Sequence, residues 1–479
     1  MDRTGQEPAI AANAAVGAGE PAGGPGPASG ATSGGALVPQ GDFAALSKPH
    51  MSPILGRYYE RSWDHGEGHL LYDSAGRGFL DFACGIATTS LGHHHPAVTQ
   101  AIKDQADKLL HICNALGYLE PVAQLATLLA DACPDPLDTV FFGNSGTEAV
   151  EGALKLARRV TGRPGIVAFR GAFHGRTFGA ASITSSSINY RTGYEPLLPS
   201  VYLTPFPNVY RYFGDDEEAA TAGAMGALRT LLGHEIPASS VAAIIIEPIQ
   251  GEGGFSPAPI SFLRELRALC DEHGILLIAD EIQSGAGRTG RMWAVEHWGV
   301  QPDILLSAKG IASGMPLGAL IARASVLEAW GMGAHGSTFG GNPIACAAAL
   351  ATIDLLESGL IENAARRGAE ALAGLAELHG RYPALIRDVR GKGLMLGVEF
   401  DTPDHAEEVQ WAAFERGLLV LECGRSSVRM SPALTVSAPE MATGLRIFGE
   451  AVAEVAGEHG EVLRAARAAG AITGVEEAI

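Results

Sequence analysis

Apolar runs of strand length alternate with helix-like stretches through the middle of this chain, and this alternation restricts its fold more than any other feature. Strands that alternate with helices favour a mostly parallel β-sheet covered by helices on both faces. The sequence therefore predicts a large α/β domain over residues 91–345. Its strands are predicted at 139–142, 165–169, 241–247, 274–280 and 303–307.

The last part of the chain is predicted to form a smaller α+β domain over residues 346–479, to which an N-terminal segment, 38–90, contributes. Strands are predicted at 394–400, 418–421 and 428–430. The clearest helix begins after Ser437, because Ser437 and Glu440 form a capping box and Pro439 suits the first helical turn.

Composition predicts the state of the N-terminal tail and excludes some classes of partner. Residues 1–37 are rich in Ala, Gly and Pro, so this tail is predicted to be disordered. A net charge of −19 repels nucleic acid and anionic lipid, and the longest apolar runs are too short to span a membrane. The cysteines form no Cys-x-x-Cys pair, which fits a reducing compartment, and we expect a cytoplasmic protein.

Two predicted strands end close to residues of opposite charge. The run 274–280 ends in Asp280, and Lys309 follows the run 303–307. Their separation suits a strand, a crossover and a neighbouring strand. Both side chains are therefore expected at the carboxyl edge of the sheet, where open α/β sheets bind ligands. A structural ion pair and a cofactor site both explain these two residues when they are taken alone.

Three further segments favour a cofactor site. The segment 143–148 follows a strand and begins a helix predicted to reach about residue 160; free N–H groups at such a terminus bind anions, and Gly146 allows close approach of a phosphate. The segment 172–176 offers Phe173 as a ring for stacking and Arg176 as a partner for a carboxylate. In the segment 280–283, two further side chains are expected beside whatever Asp280 contacts.

Together these segments resemble the class III, omega-type, pyridoxal-phosphate-dependent aminotransferases, such as the 4-aminobutyrate, acetylornithine and ornithine aminotransferases. The resemblance implies fold type I of the pyridoxal-phosphate-dependent transferases. It rests on ordered motifs: Leu-Asp-Phe-Ala-Cys-Gly-Ile-Ala at 80–87, Leu-Gly-His-His-His-Pro at 91–96, Asn-Ser-Gly-Thr-Glu-Ala at 144–149, Phe-His-Gly-Arg-Thr at 173–177, Glu-Pro-Ile-Gln-Gly-Glu-Gly-Gly at 247–254, Asp-Glu-Ile-Gln-Ser-Gly at 280–285, Ser-Ala-Lys-Gly at 307–310 and Gly-Ser-Thr-Phe-Gly-Gly-Asn-Pro at 336–343.

The resemblance implies pyridoxal 5′-phosphate as the cofactor, with Lys309 bound to it as a Schiff base and moving the proton during catalysis. Asp280 is expected to keep the pyridine nitrogen protonated, so that the ring accepts electrons. Thr338 resembles a threonine that reaches the phosphate of a neighbouring subunit, which implies a homodimer with shared active sites. The other cofactor-binding residues implied are Ser145, Gly146 and Thr147 at the phosphate, Phe173 and Ile282 on the ring faces, Gln283 at the ring hydroxyl, and His174 and Glu247.

The resemblance also implies the substrate-binding residues. Arg176 resembles the arginine that binds the carboxylate remote from the reacting amine, and Arg429 the arginine for the α-carboxylate of glutamate or 2-oxoglutarate. Glu252 resembles a catalytic glutamate that swings to cap Arg429 when no α-carboxylate is present. Ile86 stands where ornithine-specific relatives have a tyrosine, and an apolar side chain there suits a short, uncharged substrate chain.

We therefore expect transamination of an omega-amino acid resembling 4-aminobutyrate, with 2-oxoglutarate as acceptor and a semialdehyde and glutamate as products. An acetylornithine- or ornithine-type aminotransferase is the alternative, because Ile86 excludes only the tyrosine-containing branch. A pyridoxal-phosphate-dependent racemase of the same family also stays open, since no residue decides where the proton is returned. No metal site is expected, because the consecutive histidines at 93–95 cannot face one way on a strand or a helix.

Overall fold

The computed structural model of the protein describes residues 43–457. The predicted disordered tail, 1–37, and the end of the predicted small domain lie outside the described residues. Within 43–457 the strands, in chain order, are β1 Trp63–Glu67, β2 Leu70–Asp73, β3 Gly78–Asp81, β4 Thr139–Gly143, β5 Gly165–Phe169, β6 Val201–Thr204, β7 Val241–Ile246, β8 Ile249–Gln250, β9 Ser256–Pro257, β10 Leu276–Asp280, β11 Ile304–Ser307, β12 Gly318–Ala322, β13 Ile386–Lys392, β14 Met395–Phe400, β15 Leu418–Leu419, β16 Leu421–Cys423 and β17 Ser427–Met430.

The α-helices connect and cover these strands. In chain order they are α1 Phe43–Ser47, α2 Cys84–Ala87, α3 Pro96–Lys108, α4 Glu120–Ala132, α5 Gly146–Thr161, α6 Phe178–Ile183, α7 Val209–Phe213, α8 Glu217–His234, α9 Ile260–His273, α10 Ala324–Leu327, α11 Pro343–Leu355, α12 Ile361–Arg381, α13 Pro403–Glu415 and α14 Ala438–Ala456.

The central sheet has seven strands in the order β4-β12-β11-β10-β7-β5-β6. The strands from β11 to β6 pair in parallel, and β12 runs antiparallel to both β11 and β4. The predicted mostly parallel sheet is therefore confirmed. The strand β12 and its antiparallel direction were not predicted. Its run of apolar residues is of the same kind as that of a buried parallel strand, so the pattern does not show the direction.

The central strands read as continuous apolar runs because both faces of the sheet are covered. Ile166 and Ala168 of β5 lie in the core shared with α5, whereas Val167 and Phe169 lie in the core shared with α8 and α9. Successive side chains of a strand point to opposite faces, so each face has its own core. Helices on both faces leave the carboxyl edge of the sheet as the place for a site.

A second, antiparallel sheet in the C-terminal part has the order β13-β14-β17-β16 and is here called the small sheet. Its predicted strands are present, but the predicted run 418–421 divides into β15 and β16. Strand β15 instead pairs in parallel with β3 of the N-terminal β1-β2-β3 sheet. The predicted boundaries between the domains stay predictions.

The helix predicted to begin after Ser437 is α14. The Ser437 side chain accepts from the amide of Glu440, and the Glu440 side chain accepts from the amide of Ser437, so the capping box is formed. This reciprocal contact satisfies two amide groups that a helix terminus otherwise leaves without partners.

One helical run in the described residues, Pro343–Arg381, is long and apolar enough to cross a membrane by length and composition. Gly359, with φ 117°, interrupts it between α11 and α12. Its apolar side chains, including Cys346, Ile353 and Leu375, lie in the main core with residues of the small sheet. Part of its apolar surface is therefore buried within the protein.

Candidate active site

A cavity of about 440 Å³ lies at the carboxyl edge of the central sheet. Asp280 ends β10, and Lys309 follows the neighbouring β11, so the predicted arrangement of these two strands is confirmed. The predicted site residues that line this cavity are Ser145, Gly146, Thr147, Phe173, His174, Arg176, Glu247, Asp280, Ile282, Gln283 and Lys309. Ile86, Glu252, Thr338 and Arg429 are not among its lining residues.

Lys309 begins a short 3₁₀ helix, Lys309–Ala312, with φ 50°. A non-glycine residue in the left-handed region costs on the order of 1–3 kcal/mol, so the surroundings must hold it there. The Ser90 hydroxyl donates to the carbonyl of Gly310 at 2.7 Å and fixes the backbone directly after Lys309. Burial lowers the pKa of the Lys309 ammonium, which favours the neutral amine needed for attack on an aldehyde.

Asp280 is held from two directions at the end of β10. His174 Nδ1 lies 2.7 Å from Asp280 Oδ2, and the amide of Ile282 donates to Oδ1 at 3.1 Å. Asp280 is 4% exposed and His174 is 2% exposed, so water does not compete for this contact. The resemblance implied His174 as a cofactor-binding residue, and the structure places it where it orients the Asp280 carboxylate.

Glu247 follows β7 and lies in the same cavity. Burial, and then the neighbouring charge of Asp280, raises the pKa of Glu247 well above its ordinary value. The amides of Phe173 and Gly251 donate to its two oxygens at 3.4 and 3.3 Å. The charge of Asp280 therefore acts on Glu247 within one buried site.

The N-terminus of α5 also lines the cavity. The Ser145 side chain accepts from the amide of Glu148 at 3.3 Å, while the amides of Gly146 and Thr147 belong to the first turn, which a helix leaves without intrahelical acceptors. A Cβ at Gly146 would lie 2.8 Å from Ile282 Cδ1, so glycine allows this turn to enter the cavity. These donors and the helix dipole suit a phosphate.

The residues present fit pyridoxal 5′-phosphate. The first turn of α5 suits its phosphate, the amine of Lys309 its aldehyde, and the carboxylate of Asp280 its pyridinium nitrogen. Phe173 and Ile282 both line the cavity and suit the flat ring. Gln283 Oε1 is buried without a hydrogen-bond partner in the described residues, and the hydroxyl of the cofactor ring would supply one.

Arg429 and Glu252 form an ion pair beside this cavity. Arg429 Nη1 donates to Glu252 Oε1 at 2.6 Å, and Arg429 is 2% exposed. Burial alone would raise the pKa of Glu252, but the Arg429 guanidinium lowers it below its ordinary value. The charges of both residues act on the Lys309 ammonium. The contact is the one that the resemblance implies, and its role in catalysis stays a prediction.

Arg176 is exposed and lies against two aromatic rings. Its guanidinium carbon is 4.1 Å from the centre of the Tyr190 ring and 5.9 Å from that of Phe173. The two rings meet edge to face at 5.5 Å. This support leaves the guanidinium available to a carboxylate that enters the cavity.

Ile86 lies in α2, whose four residues all have positive φ, from 47° at Cys84 to 64° at Ile86. Left-handed backbone costs about 1–2 kcal/mol per non-glycine residue, so this turn must be stabilised by its surroundings. Asp81 Oδ1 accepts from the amides of residues 83 and 84 at 2.8 Å, and His93 Nε2 lies 2.8 Å from Asp81 Oδ2. His93 is thus a partner of Asp81.

Thr338 is exposed in the structure of the single chain. Its predicted contact is with the cofactor of a neighbouring subunit, so the position at the surface is the one that such a contact requires. The assignment stays a prediction.

Two tyrosines near the arginines were not predicted. Tyr58 Oη accepts from Arg429 Nη2 at 3.5 Å, and Tyr190 lies under Arg176. Burial raises the pKa of both phenols, so both stay neutral donors and acceptors. No local pattern marks these residues, because Tyr58 and Arg429 are 371 positions apart in the chain.

The chain matches the family described as Aminotransferase class-III over residues 57–452. It is 44% identical to the acetylornithine aminotransferase of Methanopyrus kandleri over 388 residues, which cover 81% of this chain and 93% of the relative. It is 39% identical to the 5-aminovalerate aminotransferase DavT of Pseudomonas putida, covering 84% of this chain and 96% of the relative.

Solved structures with the same fold include transaminases. An amine transaminase from an uncultivated Pseudomonas species, with bound pyridoxal phosphate, has a TM-score of 0.78 and 32% identity, covering 89% of this chain and 100% of the other. The ornithine aminotransferase of Toxoplasma gondii has a TM-score of 0.76 and 30% identity, covering 86% of this chain and 94% of the other.

Proposed function

Because this chain belongs to the class III aminotransferases, which are pyridoxal-phosphate-dependent enzymes, we propose that it transfers the terminal amino group of N-acetylornithine to 2-oxoglutarate. The products are the corresponding semialdehyde and glutamate. Several similar relatives are named acetylornithine aminotransferases, and they support the alternative from the sequence better than the 4-aminobutyrate interpretation.

The ion pair between Glu252 and Arg429 carries the proposal that the donor is a terminal amine. Such a donor places CH₂ groups beside its nitrogen, so Arg429 would face an apolar chain. A buried charge that loses its partner costs about 3–5 kcal/mol. Glu252, at 2.6 Å from Arg429, prevents that loss while the donor reacts. The α-carboxylate of 2-oxoglutarate then takes the place of Glu252 on Arg429.

The remote end of N-acetylornithine fits the other side of the cavity. Its carboxylate suits the guanidinium of Arg176, which Tyr190 and Phe173 support. Ile86 packs beside an aromatic cluster that includes Tyr59 and Phe79, outside the cavity lining, and it would contact the carbon chain of a donor that extends beyond that lining. We propose these contacts for the donor carboxylate and the donor chain, respectively.

Pyridoxal phosphate, when bound, supplies an electron sink for the electrons released when the donor C–H bond breaks. The chain supplies the rest of the chemistry. The buried amine of Lys309 takes the proton from the donor carbon and would deliver it to C4′, the aldehyde carbon of the cofactor. The Asp280 carboxylate, oriented by His174, stabilises positive charge at the ring nitrogen. The first turn of α5 holds the phosphate end.

We also propose that the enzyme works as a homodimer. The segments 109–118 and 337–341 contact each other, since Asn114 Nδ2 donates to the Gly340 carbonyl at 2.8 Å and the rings of His111 and Phe339 are 4.8 Å apart. Around them large apolar side chains are exposed, among them Leu116, Tyr118 and Phe339. An apolar surface of this kind, next to Thr338, supports an interface between two copies of the chain.

A donor panel tests the substrate. N-acetylornithine, ornithine, 4-aminobutyrate and 5-aminovalerate are each supplied with 2-oxoglutarate, and glutamate formation is measured to give kcat/KM. The highest value is expected for N-acetylornithine. A higher value for 5-aminovalerate would support a second candidate function, transamination of 5-aminovalerate, which the similarity to DavT favours. Glutamate formation from none of the four donors would contradict the proposal.

The racemase alternative is tested without any 2-oxo acid. One enantiomer of a chiral α-amino acid with a free α-amine, ornithine or glutamate, is incubated with the enzyme, and the mixture is analysed by chiral chromatography. The proposal expects no second enantiomer, because the proton of an aminotransferase is not returned to the donor carbon.

Replacing Glu252 by alanine tests the exchange of partners at Arg429. The half-reaction with the ω-amine should slow, because Arg429 is left without its partner. The half-reaction with glutamate should stay unchanged or become faster, because its α-carboxylate no longer displaces Glu252. Stopped-flow absorbance of the cofactor measures each half-reaction. Equal slowing of both would make Glu252 a structural residue.

A further inference from the structure

Residues 251–255, here called the gate loop, carry Glu252 and are fixed along their backbone. The amide of Gly424 donates to the Glu252 carbonyl at 2.7 Å. Nε and Nη2 of Arg390 donate to the Gly254 carbonyl at 3.0 and 2.6 Å. The amide of Gly251 donates to Glu247 at 3.3 Å. The loop backbone is therefore held at three points.

Glycines allow the gate loop to lie directly on the small sheet. Gly397 of β14 pairs with Arg429 of β17, and a Cβ at Gly397 would lie 3.0 Å from the Gly254 carbonyl oxygen. A Cβ at Gly424 would lie 2.9 Å from the Gly253 carbonyl oxygen. The loop that carries Glu252 and the strand that carries Arg429 thus rest on the same sheet.

Arg390 of β13 is the side chain that joins the gate loop to this sheet. It is oriented by Asp388, Glu399 and Ser427, whose oxygens lie 2.6, 2.7 and 2.8 Å from its guanidinium nitrogens. Glu399 also pairs with Arg211. The carboxylates of Asp388 and Glu399 neutralise the guanidinium and fix its orientation. In this orientation it donates two hydrogen bonds to the Gly254 carbonyl.

We propose that Arg390 is a positioning residue for the exchange of partners at Arg429. By fixing the Gly254 carbonyl on the sheet that carries Arg429, it limits the movement of Glu252 to rotation of its side chain. A gate loop without this contact samples more conformations, so the pair of Glu252 with Arg429 loses more entropy when it forms. Arg429 then becomes more available to a carboxylate from solution. The exchange of Glu252 for a substrate carboxylate rests on the proposed function. The fixing of the gate loop by Arg390 does not depend on it.

The test uses Arg390→Gln in the holoenzyme and glutarate, an unreactive dicarboxylate of the length of 2-oxoglutarate. Glutarate competes with Glu252 for Arg429, and isothermal titration measures its Kd. We expect about threefold to tenfold tighter binding, which corresponds to the lower part of the coupling energies found between residues of one network of contacts. Glu252→Ala should tighten binding as well. Adding Arg390→Gln to Glu252→Ala should have no further effect.

Arg211→Gln is the matched control. It removes another cation from Glu399 but leaves the contact of Arg390 with Gly254, so the Kd of glutarate should stay at the wild-type value. Arg390→Lys keeps the charge beside Glu399 and loses the twofold donation. It should bind glutarate as Arg390→Gln does, and it replaces Arg390→Gln if that variant does not fold.

Amide hydrogen exchange gives a readout that is independent of any substrate. In the Arg390 variants, a peptide covering the gate loop should exchange faster, with the rest of the chain unchanged. Unchanged amide exchange together with an unchanged Kd of glutarate would overturn the proposal. An effect of Arg390→Gln on the Kd of glutarate that persists in the Glu252→Ala background would also overturn it. Failure of every donor in the panel would contradict the proposed function alone, since neither measurement here requires turnover.

Discussion

Lys309 is surrounded by charges that come from different parts of the chain. Glu252 and Arg429 act on it from the gate loop and the small sheet, and Asp280 and Glu247 act from the central sheet. Because the lysine is buried, its ammonium form is disfavoured, and its backbone is strained at φ 50°. The position of this one amine is thus determined by the packing of several elements.

Lys309→Ala should abolish turnover and the near-visible absorbance of the bound cofactor. The alanine has no amine to bind the aldehyde or to move the proton. Steady-state kinetics and an absorbance spectrum of the purified variant provide the measurement. Full activity in this variant would remove Lys309 from the mechanism.

Asp280→Asn should lower kcat by at least about 10²-fold, because a positioned charge in a buried site contributes several kcal/mol to catalysis. Asp303→Asn is the matched control, since Asp303 precedes β11 at the opposite edge of the sheet and pairs with Arg267 and Arg323. It should reduce stability with kcat close to wild type. A loss below tenfold in Asp280→Asn would place Asp280 away from the ring nitrogen.

At the scale of elements, Glu399 of β14 binds Arg390, and Arg390 in turn binds the gate loop at Gly254. Burial alone would raise the pKa of Glu399, but Arg390, Ser427 and Arg211 lower it from 4.5 to about 2. The folded state therefore binds fewer protons than the unfolded state in this range. The resulting stability is complete above pH 4.5 and is lost as the pH falls towards 2.

Glu399→Gln tests this dependence on pH. From the lowered pKa we expect wild type to lose about 3 kcal/mol of its free energy of unfolding between pH 5 and pH 2 through this residue, and the variant to lack that loss. Urea denaturation at a series of pH values measures it, and the two curves should converge near pH 2. Glu450→Gln, which breaks an exposed pair with Arg446, should leave the curve parallel to wild type. Parallel curves for Glu399→Gln would contradict the assignment.

For the whole molecule, the exposed apolar surface around Tyr118 and Phe339 determines the expected assembly. Tyr118 is fully exposed and Phe339 more than half exposed in the single chain, and large apolar side chains at such positions are typical of interfaces. Because Thr338 lies within this region, the surface and the proposed second contribution to the cofactor site coincide.

Light scattering after size-exclusion chromatography should therefore give twice the chain mass of 49.6 kDa. Tyr118→Asp places a charge in the proposed interface and should shift the mass towards the monomer, with weaker binding of the cofactor. Tyr212→Asp, at an exposed tyrosine of α7, is the control and should leave the mass unchanged. A monomeric wild-type protein with full activity would contradict the dimer.

The sequence alone determined the elements that depend on local patterns. The buried strands β5, β7, β10 and β11 follow from apolar runs, and α14 follows from its capping box. The order of those strands places Asp280 and Lys309 together, because parallel strands share a carboxyl edge. The assignment of the other site residues came from motifs matched to a family.

Only the tertiary structure decided the contacts between distant segments. The antiparallel β12, the approach of Tyr58 to Arg429 and the contact of Arg390 with Gly254 join parts of the chain that no local period connects. Hydrogen bonds and close packing between such parts depend on the direction of each side chain in the folded state. Periodicity specifies which face of an element is buried, but it does not specify the partner that the face meets.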